Sequence, residues 1–162
     1  MAQVYVSIGS NVDREHNIRA GVFDLTAYFG DLALSSVYES EAVGFSGDNF
    51  YNLVAGFCTA LKPRQVADIL HAIEDAHGRR RDGPRYSSRT LDIDLLLYDD
   101  LELHEGKLDI PRDEITRHAF VLWPLAEIAP ERRHPQAGLS YRQLWERFDR
   151  QAQPLYPIEF AF

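Results

Sequence analysis

Apolar and polar positions alternate from the first residues of the chain. Val4, Val6 and Ile8 interleave with Tyr5 and Ser7, the period of a half-buried strand, and Gly9-Ser10-Asn11 breaks it. The period then becomes helical: Ile18, Val22, Leu25 and Phe29 step by four, three and four, between Asp13, which can cap a helix, and Gly30, which stops one. Residues 32–39 predict a second strand and residues 40–49, rich in Gly, Ser, Asp and Asn, a loop. A third strand is expected from Phe50 to Leu61, with Gly56 inside it. Pro63 suits the first turn of a second helix that shows Val66, Ile69, Leu70 and Ile73 on one face and ends at Gly78. Thr90 to Tyr98 reads as a fourth strand. The order β-α-β-β-α-β predicts an α+β, ferredoxin-like core. C-terminal additions follow: a hairpin-like stretch near 99–110, a short helix near 117–128 that contains Pro124, a second at 140–149, and a tail with Ile158, Phe160 and Phe162. Without repeats, low-complexity tracts or a linker, residues 1–162 predict one domain.

Composition narrows the class. The mix of 45% hydrophobic and 26% charged residues is that of a globular protein with a full core. A net charge of −8 argues against nucleic acid or an anionic membrane as partner. One cysteine, Cys58, leaves no internal disulfide and no multi-cysteine metal site. No apolar run approaches the ~20 residues of a membrane span, so a soluble, cytoplasmic protein is expected. The charge is also uneven. Gly78 to Arg89 holds five arginines (Arg79, Arg80, Arg81, Arg85, Arg89) against Asp82, a segment of +4 in a chain whose remainder carries −12. Such an island suits a concentrated anion such as a polyphosphate, although a solvated surface loop is the ordinary reading of an arginine-rich segment taken alone.

The strand after it bears on that choice. Asp92 and Asp94 stand two apart, so they project from one face with Cα atoms roughly 6–7 Å apart, while Leu91, Ile93 and Leu95 face the other way. Two hard carboxylates at that spacing can hold Mg²⁺ against phosphate oxygens, and arginine's planar fork is a suitable partner for those oxygens. A strand with one wet face would also show acidic residues, but two aspartates on one face repel each other. Glu74 and Asp75, in the last turns of the second helix, can orient an arginine or touch a nucleotide, or simply be exposed. Phe50, Asn52 and Phe120 provide two rings and one amide for a flat heterocycle, or two core aromatics. His118, beside Arg117, can be catalytic, but an exposed residue is the default reading. No P-loop sequence is present, and no nucleophile–histidine pattern surrounds Ser7, Ser10 or Cys58.

Taken together, Ile8-Gly9-Ser10-Asn11, Phe50-Tyr51-Asn52, Arg89-Thr90-Leu91-Asp92-Ile93-Asp94 and the run from Ala119 to Pro130 resemble the 6-hydroxymethyl-7,8-dihydropterin pyrophosphokinases of the folate pathway, over nearly the whole chain. The resemblance implies transfer of the terminal pyrophosphoryl unit of ATP to the hydroxymethyl oxygen of the pterin, with release of AMP. It implies two Mg²⁺ ions on Asp92 and Asp94, with Arg79 and Arg89 assisting transfer and Arg81 in a mobile loop that closes over ATP. Glu74, Arg81, Arg85, Lys107, Arg112 and His118 fall at ATP-binding positions. Ser40, Val43, Phe50, Asn52, Tyr86 and Phe120 fall at pterin-binding ones. The implied partners are small molecules alone, and the implied assembly is a monomer or weak homodimer.

The chain departs from that family at three places. Arg85-Tyr86-Ser87-Ser88 stands where the family usually has Arg-Trp-Gly/Ser-Pro, so Tyr86 replaces a tryptophan that covers the pterin. Arg112 follows Pro111 where a histidine is common, and His118 stands at an arginine position, with Arg117 beside it. These changes keep cations near the triphosphate but alter their reach. They leave room for a paralogue that acts on a related pterin. A non-catalytic ferredoxin-like ligand-binding module is the other alternative, although it gives the Asp92/Asp94 pair no task.

Overall fold

Two long apolar strands form the middle of the sheet. β1 (Ala2–Ser10) pairs antiparallel with β4 (Phe50–Thr59) along its whole length, from Ala2 opposite Thr59 to Ser10 opposite Tyr51. β5 (Asp92–Tyr98) flanks β1, β3 (Val37–Ser40) flanks β4, and β8 (Leu155–Ile158) adds itself to β3, all antiparallel. The computed structural model describes residues 1–42, 47–78 and 90–162, and among them the main sheet runs β5-β1-β4-β3-β8, with β2 (Ala33–Leu34) also on β4. The first four strands in this list stand in the ferredoxin-like order expected from the sequence. The one strand expected at 32–39 is divided at Ser35, whose N–H donates to the Val54 carbonyl and whose Oγ accepts the Val54 N–H, both at 2.9 Å. Gly56 does not interrupt β4: a Cβ there would lie 2.8 Å from the ring of Tyr5, so the missing side chain makes room for an aromatic neighbour.

One face of the sheet is covered as its periodicity predicts. α1 (Arg14–Phe29) and α2 (Pro63–Ala76) bury Ile18, Val22, Leu25, Val66, Leu70 and Ile73 against Val4, Val6, Ile8, Leu53, Ala55, Ile93 and Leu95. Gly30 ends α1 at φ 81°, its N–H on the Thr26 carbonyl at 2.9 Å. Asp13 does not cap α1 as expected. It sits in the left-handed region at φ 43° with no side-chain bond to the helix, and Asn17 Nδ2 ties the turn to the Val12 carbonyl instead.

The other face differs from the half-buried strand expected of Tyr5 and Ser7. α3 (Glu114–Arg117), α4 (Ala119–Ile128) and α5 (Tyr141–Arg147) bring Ile115, Val121, Leu122, Leu125 and Tyr141 onto Tyr5, Val54, Leu96 and Leu97. Full burial of such a side chain stabilises by about 1.5–3 kcal/mol, which accounts for the additions holding to the core. The helix expected at 117–128 is two helices, divided at His118, whose backbone is extended (φ −122°, ψ 124°). Gln153 bridges that break: it accepts the Ala119 N–H at 2.9 Å and donates to the Arg117 carbonyl at 2.8 Å. β6 (Leu103–Glu105) and β7 (Leu108–Ile110) form the expected hairpin, turning at Gly106-Lys107 with Gly106 at φ 62°. No helix among the described residues is long and apolar enough to cross a membrane.

Candidate active site

Strand register sets the geometry of the site. Asp92 pairs with Gly9, and Gly9 pairs with Asn52, so the three form one row across β5, β1 and β4. At the usual strand spacing, Asp92 and Asn52 stand about 10 Å apart at Cα with their side chains on the same face. Gly9 leaves the space between them open: a Cβ there would lie 3.1 Å from Asn52 Oδ1 and 3.8 Å from the Phe50 ring. Asn52 is buried and donates through Nδ2 to Ser40 Oγ at 2.8 Å, which fixes its amide. Phe50 precedes it by two on the same strand face, and Phe120 packs at the start of α4 above that face, stacked on His118 at 4.8 Å. Ser10 is buried and its hydroxyl donates to the Thr90 carbonyl at 2.5 Å, pinning the entry to the strand that carries both aspartates.

Asp94 follows Asp92 on that face, and Ile93 and Leu95 anchor the strand from the other, as the alternation predicts. A register shift opposite Tyr5 and Val6 leaves Leu96 as an extra residue in β5. The Leu96 carbonyl accepts the Arg112 N–H at 3.0 Å, which brings the segment after β7 beside the aspartates. Arg112 Nη2 lies 3.6 Å from Asp94 Oδ1, and its Nε and Nη2 both donate to Glu114 Oε1, at 3.2 and 3.1 Å. Glu74 reaches the same region from behind. It is 2% exposed, and its Oε2 accepts the Ile93 N–H at 2.8 Å on the free edge of β5. Burial first, and then the neighbouring Asp92 charge, push the Asp94 carboxyl well above the usual carboxylate range; Arg112 opposes this, and Glu114 and Glu74 add to it.

Such a crowd of carboxylates is the environment in which a divalent cation relieves repulsion. Among the described residues no three His, Cys, Asp or Glu side chains are arranged to hold a metal ion by themselves. Asp92 and Asp94 therefore offer a pair of ligands, which fits Mg²⁺, an ion that keeps waters or phosphate oxygens in the rest of its shell.

The structure thus brings Ser40, Phe50, Asn52, Glu74, Asp92, Asp94, Arg112, His118 and Phe120 to one end of the sheet. Lys107 stands apart in the exposed β6–β7 turn. Val43, Arg79, Arg81, Arg85, Tyr86 and Arg89 lie outside the described residues. A polar hollow of about 630 Å³ lined by Asn11, Asp13, Arg14, Glu39 and 47–49 lies nearby and contains none of the predicted site residues. Sequence reasoning missed Gly9 as a clearance, Ser10 as a pin and Glu114 as the clamp of Arg112. The first two belong to a short motif whose meaning needs the strand register; Glu114 carries no signal beyond standing two residues from Arg112.

Comparisons with known proteins bear on the chain as a whole. A family model for 7,8-dihydro-6-hydroxymethylpterin-pyrophosphokinase (HPPK) matches residues 5–130. The 2-amino-4-hydroxy-6-hydroxymethyldihydropteridine pyrophosphokinase of Pseudomonas aeruginosa is 38% identical over 137 residues, 82% of this chain and 84% of that protein. The protein of the same name from Aquifex aeolicus is 35% identical over 137 residues, 83% of this chain and 85% of its own length. Among solved structures, Plasmodium falciparum HPPK-DHPS with pteroate superposes with a TM-score of 0.71 at 15% identity, over 90% of this chain and 42% of that one, a likeness of fold. The chain therefore belongs to the 7,8-dihydro-6-hydroxymethylpterin-pyrophosphokinase family, and is an ATP-dependent diphosphotransferase of folate biosynthesis.

Proposed function

We propose that the enzyme transfers pyrophosphate from ATP to the hydroxymethyl group of 6-hydroxymethyl-7,8-dihydropterin, using two Mg²⁺ ions held by Asp92 and Asp94. The observation that carries this reading is the row Asp92–Gly9–Asn52, which sets a carboxylate pair and a fixed amide on one face with an open position between them. Asn52 would read the hydrogen-bonding edge of the pterin, and Phe50 and Phe120 would stack on its faces, with Ser40 holding the Asn52 amide in place. The metal ions, when bound, supply charge neutralisation for the triphosphate. Arg79 and Arg89 assist transfer in this reading, and Arg81, Arg85, Arg112, His118 and Lys107 contribute cationic contacts to ATP, as the family resemblance implies.

The reaction is an in-line displacement. The substrate's hydroxymethyl oxygen forms a bond to the β-phosphorus, the bond from that phosphorus to the α,β-bridging oxygen breaks, AMP leaves and the hydroxyl proton is released. No covalent enzyme intermediate is required, and Cys58, the one thiol, pairs with Gln3 near the opposite end of β1. Catalysis is then positioning plus charge stabilisation. The enzyme is read as cytoplasmic and as acting on small molecules without nucleic acid or membrane, which the net charge of −8 supports, and as a monomer or weak homodimer. Incubation with Mg-ATP and a panel of pterin alcohols tests the assignment. AMP and the diphosphate ester of 6-hydroxymethyl-7,8-dihydropterin are expected. AMP formed only with a related pterin would reassign the acceptor, and binding without AMP would sink the transfer reading.

A further inference from the structure

Arg112 stands where the family resemblance sets a histidine, and its surroundings show a consequence of that difference. Its guanidinium is 3.6 Å from Asp94 and donates through Nε and Nη2 to Glu114 Oε1, while the Leu96 carbonyl accepts its backbone N–H. Its side chain is 27% exposed and that of Asp94 23%, so the pair is partly desolvated and only partly screened. A guanidinium keeps its proton at any ordinary pH, so the group is cationic here. Asp94 and Glu114 lie against that positive charge, Asp92 stands beside Asp94, and the buried Glu74 adds its charge to the Asp94 side.

We infer that Arg112, clamped by Glu114, is a resident counter-cation of Asp94 in the nucleotide-free enzyme, so that the metal site binds its ion more tightly together with an anion that draws the guanidinium to itself. A unit charge this close to a metal ligand opposes a divalent ion directly. With water-like screening at about 5 Å the repulsion corresponds to roughly tenfold in affinity, and with less screening to more. When a triphosphate enters, the same guanidinium gains a phosphate partner and its opposition to the metal becomes an attraction for the nucleotide. Metal and nucleotide binding are thereby coupled through one side chain, and Glu114 is a positioning residue for it. By linkage, each ligand strengthens the other to the same extent. The inference rests on the reading of Asp92 and Asp94 as metal ligands.

Mn²⁺ binding to the full chain tests it without turnover, followed through the electron paramagnetic resonance of the free ion when nucleotide is absent and through equilibrium dialysis of Mn²⁺ and nucleotide against the protein when it is present. The measurement is made with and without a non-hydrolysable ATP analogue, on the native enzyme, Arg112→Gln, Arg112→Lys and Asp94→Ala. Arg112→Gln is expected to bind Mn²⁺ about tenfold more tightly without nucleotide and to bind the Mn²⁺-analogue complex several-fold more weakly. Arg112→Lys should lie closer to the native enzyme, and Asp94→Ala should lose Mn²⁺ in both conditions. A general structural defect would weaken both ligands together, and unchanged thermal unfolding of Arg112→Gln checks that point. If the nucleotide-free affinity of Arg112→Gln equals or falls below the native value while Mn²⁺ still binds with nucleotide, the counter-cation role is wrong and the metal site stands. If the native enzyme takes up no Mn²⁺ even with nucleotide, the metal-site reading fails and this inference with it.

Discussion

The two faces of the sheet are built from the same strands but carry different loads. On the α1/α2 face the middle rows are apolar across β5, β1 and β4, Ile93, Ile8 and Leu53 in one and Leu95, Val6 and Ala55 in the next, and the helices cover them. On the α3–α5 face the rows change character along their length. Tyr5, Val54 and Leu97 continue an apolar core, whereas Asp92, Gly9 and Asn52, at the strand ends, do not. The sealed face makes the platform rigid, and the partly sealed one leaves polar groups where a ligand can reach them. The proposed chemistry is thereby confined to one end of one face, away from the apolar rows of the other.

Substitutions on the two faces should therefore separate activity from stability. The largest effect is expected from Asp94→Ala. Removing one of the two carboxylates proposed to hold the metal should lower kcat/KM by roughly three orders of magnitude, about 4 kcal/mol of transition-state stabilisation, as measured by AMP release. Because Asp94 is crowded by Asp92, Glu114 and Glu74, its loss should not lower the thermal midpoint. Leu25→Ala is the converse. Leu25 is fully buried under α1, so truncation should cost 2–5 kcal/mol in denaturant unfolding, with kcat and both KM values of the folded fraction unchanged. An Asp94→Ala enzyme of near-native turnover, or a Leu25→Ala enzyme of native stability and poor turnover, would break the division.

The sealed face was legible because its signals are local. Ile18, Val22, Leu25 and Val66, Leu70, Ile73 recur at helical spacing within single segments, and Val4, Val6 and Ile8 alternate within one strand. The opposite face was not legible, because Leu95-Leu96-Leu97 reads as one apolar run and hides the bulge that sends Leu96 and Leu97 the other way. Its cover comes from residues 115–141, whose partners lie far away in sequence. The break at His118 could not be read either, since Gln153, which bridges it, is more than thirty residues on. Within the site, the Asp92/Asp94 pair follows from strand period alone, but its alignment with Asn52 depends on two strand registers, and the Glu114 clamp on a tertiary contact.

A smaller effect should show whether Gly9 is a clearance, as its place between the two polar residues implies. In Gly9→Ala the new Cβ would stand 3.1 Å from Asn52 Oδ1, and the amide cannot retreat without straining its 2.8 Å bond to Ser40. A shift of a few tenths of an ångström in a reading group lowers affinity more than stability. The KM for the pterin is expected to rise about tenfold, equivalent to about 1.4 kcal/mol, while the KM for ATP changes less than twofold. Equal rises in both constants would mean that Gly9 serves the metal end of the row instead.

The smallest effect concerns the junction of the two kinds of surface. Gln153 bonds both sides of the break at His118, and the residue that follows the break's N–H partner is Phe120, which stacks on His118. Gln153→Ala removes a capping acceptor at the start of α4, a loss of about 1 kcal/mol by analogy with other helix caps, and should lower the thermal midpoint by about 2–4 °C. Phe120 also packs on both apolar clusters of this face, and those contacts persist without Gln153. The KM for the pterin should therefore rise no more than two- to threefold. If it rose tenfold with the same small loss of stability, the capping bonds rather than the apolar packing would be what holds Phe120 in place, and this face would be rigid at the site only through its polar contacts.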